Sequence, residues 1–108
     1  MKLYIGGAYQ GQEELARLEN PGAEFCFDWH KKVRSLLEEG ADPVGYTEAF
    51  CRENPQAVVT ADEVGCGLVP VEARERAFRE AAGRSLCILA AHCDAVTRVV
   101  CGIGTRIK

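Results

Sequence analysis

Apolar residues in this chain come in short unbroken runs, separated by stretches in which they recur every three or four positions. That alternation is expected of buried strands and amphipathic helices. Lys2-Leu3-Tyr4-Ile5 is the first run and stops at Gly6-Gly7, as a buried strand does on meeting a tight turn. Gln12 to Leu18 favours helix, with Leu15 and Leu18 on one side and Glu13 and Glu14 in the first turn, where acidic groups suit the helix dipole. Asn20-Pro21-Gly22 ends it. Glu24-Phe25-Cys26-Phe27 predicts a second strand closed by Asp28, which can cap a helix over Trp29 to Glu39 with Trp29, Val33, Leu36 and Leu37 on its apolar face. Asp42-Pro43 opens a further helix to about Arg52 with Tyr46, Ala49 and Phe50 inward.

Ala57-Val58-Val59-Thr60 is a β-branched run suited to a buried strand. A glycine-containing loop from Ala61 to Pro70 leads to the longest helix, roughly Val71 to His92, with Phe78, Ala82, Leu86, Leu89 and Cys93 inward. His92 is placed to cap its C-terminal end. Ala95 to Cys101 predicts another strand, and Gly102-Ile103-Gly104 turns the chain into a last extended piece, Thr105 to Lys108. Strands alternating with helices predict an α/β fold of three layers, a mostly parallel sheet with helices on both faces. Ligands in such folds bind beyond the carboxyl ends of the strands. The Gly6 loop, Asp28 and the loop from Asp62 all follow strands and are expected to converge.

With 108 residues the chain is expected to form a single domain, residues 1–108. A net charge of −3 argues against nucleic acid as the main partner, since such binding needs a basic surface. No apolar run approaches the roughly 18 residues of a membrane span, and the N-terminus does not resemble a signal peptide. The expected location is cytoplasmic, with the six cysteines reduced. Cys26, Cys87 and Cys101 lie in apolar company and are expected to act as small hydrophobes, whereas Cys66 sits between glycines in a loop.

The candidate chemistry starts at Ile5-Gly6-Gly7-Ala8-Tyr9-Gln10-Gly11-Gln12-Glu13. Strand, glycine turn and helix in that order match the setting of a phosphate-binding loop, in which backbone N–H groups and the positive end of a helix cradle the anion. In the pattern G-x-x-x-x-G-K-[ST] the lysine reaches the terminal phosphates and the hydroxyl holds magnesium. Here Gln12 and Glu13 occupy those positions. Asp28, at the end of an apolar strand, is either a magnesium-associated carboxylate or a helix N-cap. His30, within His30-Lys31-Lys32-Val33-Arg34, is either a nucleophile or phosphate contact or part of a solvated basic face. Glu63, in a strand-to-helix loop with two glycines, is either a metal contact or a group that shapes the loop.

At that loop the chain resembles a known family. Glu63-Val64-Gly65-Cys66-Gly67-Leu68-Val69-Pro70, Phe78-Arg79-Glu80-Ala81-Ala82-Gly83-Arg84 and Gly102-Ile103-Gly104 with Arg106-Ile107-Lys108 are similar to E-V-G-x-G-x-V-P, F-R-x-x-A-G-R and G-I-G-x-x-I-K of the adenosylcobinamide kinase / adenosylcobinamide-phosphate guanylyltransferase family. Gly6-Gly7-Ala8 matches the opening of that family's phosphate loop. The resemblance is specific over roughly residues 55 to 108 and 3 to 16. It implies a P-loop NTPase-like fold, reduced in size, and GTP or ATP with magnesium as cofactor. It also implies a cobinamide-like ligand, assembly as a homo-oligomer (a trimer in the family), and a place in cobalamin biosynthesis. The family phosphorylates adenosylcobinamide and then transfers GMP to the product through a guanylylated histidine. Carried over by position, Gly6, Gly7, Ala8, Gly11 and Gln12 stand at the nucleotide loop, with Glu63, Val64 and Gly65 beside it.

Two alignments of the middle are open. One sets Phe25-Cys26-Phe27-Asp28 on the family's carboxylate-bearing strand and deletes the histidine segment. The other sets His30 and Arg34 on its H-x-x-x-R. The first is preferred because the helices after Asp28 then lead into Val58 without further rearrangement. The loss of the lysine, the serine and the middle segment predicts a degenerate member, a pseudoenzyme that binds nucleotide or regulates. The alternative is an active phosphotransferase or nucleotidyltransferase that draws its charge from Lys31, Lys32, Arg34 or a neighbouring subunit.

Overall fold

Leu3 and Tyr4 of the first strand, β1 (Lys2–Gly6), are both almost wholly buried although they point to opposite faces, which marks the strand as central. The computed structural model describes residues 1–64 and 72–108. After β1 come α1 (Gln12–Glu19), β2 (Phe25–Cys26), α2 (Trp29–Glu38), α3 (Pro43–Glu53), β3 (Val58–Asp62), α4 (Ala73–His92), β4 (Ala95–Val100) and β5 (Ile103–Arg106). The sheet order is β2-β3-β1-β4-β5, parallel except where β5 returns antiparallel to β4. The expected α/β architecture is the one observed.

Helices cover both faces. On one side Ala16 and Leu15 of α1 pack on Tyr4, Val58 and Val99. The C-terminal end of α1 is fixed there by Tyr4, whose hydroxyl donates to Glu19 (2.7 Å) and accepts from Asn20 (2.9 Å). On the other side α2, α3 and α4 enclose a larger core of Leu3, Val59, Ala61 and Val96 with Trp29, Val33, Phe78 and Leu89. Trp29 packs its ring 4.6 Å from Phe50 and donates its indole N–H to Thr47 (3.3 Å). Arg34 ties α2 to α4 by a two-pronged pair with Glu75 (2.8 and 3.2 Å) while lying 3.9 Å from the Phe78 ring centre.

Several sequence expectations shift. In α3 the buried positions are Pro43, Thr47 and Cys51, with Tyr46 exposed and Ala49 and Phe50 at the rim. Thr47 is small, lets the helix approach Trp29, and returns its hydroxyl proton to the Pro43 carbonyl (2.7 Å). Asp42 caps α3 as expected, accepting from Val44 N–H (3.1 Å). Asp28 does not cap α2 with its side chain, because its backbone is left-handed (φ 59°, ψ 53°). Cys87, on the outer side of α4, and Cys101, in the turn after β4, are exposed, while Cys51 and Cys93 are the buried thiols among the described residues. The last turn falls at Cys101-Gly102, both at positive φ, so β5 begins at Ile103. Gly65, Cys66 and the expected helix start at Val71 lie outside the described residues.

Candidate functional site

The carboxyl ends of β1, β2 and β3 open on one cleft of about 310 Å³. Its floor begins at Gly6, where a Cβ would collide with the carbonyl oxygen of Val99 in β4. The loop then passes through Tyr9 (φ 60°) to Gly11 (φ 95°), a backbone conformation that glycine adopts without strain. Gln10 fastens this loop to the β4–β5 turn, its carbonyl accepting from Gly102 N–H (2.8 Å) and its Oε1 from Cys101 N–H (2.7 Å). Gln12 opens α1 and is 6% exposed. Its Nε2 donates to the Gly7 carbonyl (2.9 Å) and to Asp62 Oδ1 (3.3 Å).

Asp28 and Thr60 form the second wall, with Asp28 N–H donating to Thr60 Oγ1 (3.0 Å). The Asp28 carboxylate is half exposed and meets Lys31 Nζ at 3.5 Å. His30 completes it. Because β2 is only two residues long, it offers no backbone partner to the end of β3, and His30 Nδ1 accepts the Asp62 N–H instead (3.0 Å). An accepting Nδ1 assigns the proton of the neutral ring to Nε2, which lies 3.5 Å from Asp62 Oδ2. In that arrangement neither ring nitrogen has a free lone pair for nucleophilic attack. Ligand atoms of Asp28, His30 and Asp62 all lie within 4.8 Å of one another.

The cleft therefore gathers the glycine loop, Gln12, Asp28 and His30. It does not gather Glu63, whose N–H donates to the Gly6 carbonyl (2.7 Å) and whose carboxylate pairs with Arg98 of β4 (3.2 Å). Val64 packs against the core, and Gly65 lies outside the described residues. Of the adjacent acids at the end of β3, the one that faces the cleft is Asp62, which sequence reasoning passes over in favour of its neighbour. The signal was present: Val58, Thr60 and Asp62 alternate on the face of β3 toward α1, whereas Val59, Ala61 and Glu63 take the other.

Electrostatically the cleft is acidic. Asp28, Asp62, Glu13 and Glu14 line it against the single ammonium of Lys31 among the described lining residues. Backbone N–H groups at the start of α1 favour an anion, but a phosphate placed there would face carboxylates, with no buried cation beside it among the described residues. The hydroxyl that would bind magnesium in a full phosphate loop is replaced by Glu13, which instead accepts from Arg17 (3.2 Å).

A family model described as cobinamide kinase / cobinamide phosphate guanyltransferase matches residues 28–107. The match begins at Asp28, so the glycine loop falls outside it. The bifunctional adenosylcobalamin biosynthesis protein CobU of Salmonella typhimurium is 44% identical over 68 residues, 62% of this chain and 38% of that protein. The protein of the same name from Escherichia coli K12 is 46% identical over 61 residues, 56% of this chain and 34% of its own length. The matched stretch thus spans little more than a third of either relative. Among the described residues no helix is long and apolar enough to cross a membrane.

Proposed function

Because this chain belongs to the cobinamide kinase / cobinamide phosphate guanyltransferase family, we propose that it is a nucleotide-binding or regulatory protein connected with cobalamin biosynthesis, with little or no transferase activity. One observation carries the proposal. The position from which a phosphate-loop lysine reaches the terminal phosphates holds Gln12, and its neutral amide is already committed to Gly7 and Asp62. Phosphoryl transfer depends on positioning and on neutralising charge in the transition state. Backbone N–H groups can still hold a phosphate here, so weak affinity survives the loss better than catalysis does.

GTP or ATP is the ligand this reading takes, with magnesium reached through Asp28. Glu13 stands where the magnesium-binding hydroxyl of a full phosphate loop would be, so the metal would depend on the nucleotide and water for its remaining ligands. Calorimetric titration with GTP, ATP and cobinamide, with and without magnesium, tests the reading, together with an assay for phosphate and GMP transfer. Weak, magnesium-dependent nucleotide binding without transfer is expected, and sustained transfer to cobinamide would refute it.

A second reading has its own support. Lys31 lines the cleft from α2 and is mostly exposed, free to swing toward a bound phosphate. An active transferase that uses Lys31 predicts that Lys31→Ala abolishes transfer, whereas the first reading predicts no transfer to lose. Homo-oligomer formation, as a trimer, belongs to the same proposal. The exposure of Val100, Ile103 and Ile107 along the β5 edge supports a covered surface there, and sedimentation would measure it.

A further inference from the structure

We propose that the cleft holds a first-row divalent transition-metal ion directly on the protein, through Asp28, His30 and Asp62, in the absence of any nucleotide. The resident ion would supply the positive charge that Gln12 does not. This goes beyond the nucleotide reading, in which the cation arrives with the phosphates, and it stands or falls separately.

Three observations carry it. Ligand atoms of the three side chains lie within 4.8 Å of one another, which small rotations bring to the spacing of donors around one ion. Among the described residues the carboxylates are under-compensated: Asp62 meets the neutral amide of Gln12 and the His30 ring, and Asp28 meets the exposed Lys31 at 3.5 Å. The backbone fixes where they stand, since Asp28 N–H is held by Thr60, and His30 is tied to the end of β3. Two carboxylates and one imidazole form a mixed oxygen and nitrogen set suited to manganese, iron, cobalt or zinc. Three protein ligands leave positions open for water or a phosphate oxygen.

Coordination has a structural consequence. The neutral His30 ring has one lone pair, at Nδ1, and it now accepts the Asp62 N–H. An ion taken by His30 must displace that hydrogen bond. Binding should therefore expose the Asp62 amide, a change that diffuse attraction of cations to an acidic cleft would not produce.

Manganese is the probe, because thiolates compete for zinc and this chain has six cysteines. Manganese alone is titrated into the nucleotide-free protein and followed by electron paramagnetic resonance, with hydrogen exchange read over the peptide containing Asp62. One bound ion per chain is expected, with faster exchange at Asp62. Asp62→Asn and His30→Gln should each weaken binding on the order of tenfold or more. The glutamine keeps an acceptor for the Asp62 N–H, and Asp28→Asn tests the half-exposed ligand should either of those variants fail to fold. No binding at about 1 mM manganese, a free energy of only about −4 kcal/mol, would overturn the proposal. So would binding that these substitutions leave unchanged, or binding without altered exchange at Asp62. Nucleotide is absent throughout, so failure here leaves the nucleotide reading untouched.

Discussion

Gln12 Nε2 lies 3.3 Å from Asp62 Oδ1 and 2.9 Å from the Gly7 carbonyl, so one amide joins the glycine loop to the end of β3. Gln12→Lys would put an ammonium between those acceptors and within reach of a phosphate in the loop. A hydrogen bond to a charged group contributes about 1.5–3 kcal/mol, and part of that is offset by the neighbouring Asp62. Affinity for GTP or ATP should rise about tenfold, or about 1.4 kcal/mol, in calorimetric titration. An unchanged affinity would mean that phosphate does not enter this loop.

The two adjacent glycines of the loop should respond differently to the same change. Gly6→Ala sets a methyl group against the Val99 carbonyl, a backbone atom that cannot step aside, whereas among the described residues a methyl on Gly7 meets only Gln10 Cγ at 3.7 Å. Overpacking of this kind costs about 1–3 kcal/mol. Gly6→Ala should lower the unfolding free energy from urea titration by that amount, seen as a lower midpoint, and Gly7→Ala should barely move it.

Thr47→Val would leave the indole N–H of Trp29 without its partner inside the core. A buried donor left unsatisfied costs about 1–3 kcal/mol. The chain has one tryptophan, so its emission reports the unfolding of this core directly. The midpoint followed by fluorescence should fall, with the folded emission itself little changed.

Burial raises the Cys93 thiol from its ordinary 9.0 to about 11, with only a partial opposing pull from the N-terminal ammonium. The folded state therefore keeps a proton that the unfolded chain gives up. Stability from this group is intact below pH 9 and declines as pH rises toward 11. Cys51 is also raised by burial and adds in the same direction. Alkylation at pH 8 should label the exposed Cys87 and Cys101 well before Cys51 and Cys93, and mass spectrometry of timed samples would read the order. Equal labelling rates would contradict the packing of α3 against α4.

Some of the site was legible in the chain and some was not, for reasons that differ by residue. The glycine loop, Asp28 and the loop from Asp62 are expected to meet because each follows a strand of one parallel sheet; the cleft gathers the glycine loop, Asp28 and Asp62, while Glu63 turns to Arg98 and residues 65–71 lie outside the described residues. Sequence reading favours Glu63 over Asp62, whereas the structure lines the cleft with Asp62 and turns Glu63 to Arg98: adjacent acids look alike in a sequence, while the two faces of a strand do not. Asp28 was offered a capping role on its position before a helix, but a left-handed backbone turns its carboxylate away from the helix N–H groups.

The sequence by itself determined the order of strands and helices, the family, and the absence of lysine and serine from the loop, because period, turn residues and motif spacing are local properties. Only the tertiary structure decided that Gln12 bonds to Asp62, that His30 closes the open end of β3, and that Glu63 turns to Arg98. Those pairings join residues dozens of positions apart. Their geometry depends on the parallel register that sets Gly6 beside Asp62 and on the short β2, which leaves a backbone N–H for a histidine to accept.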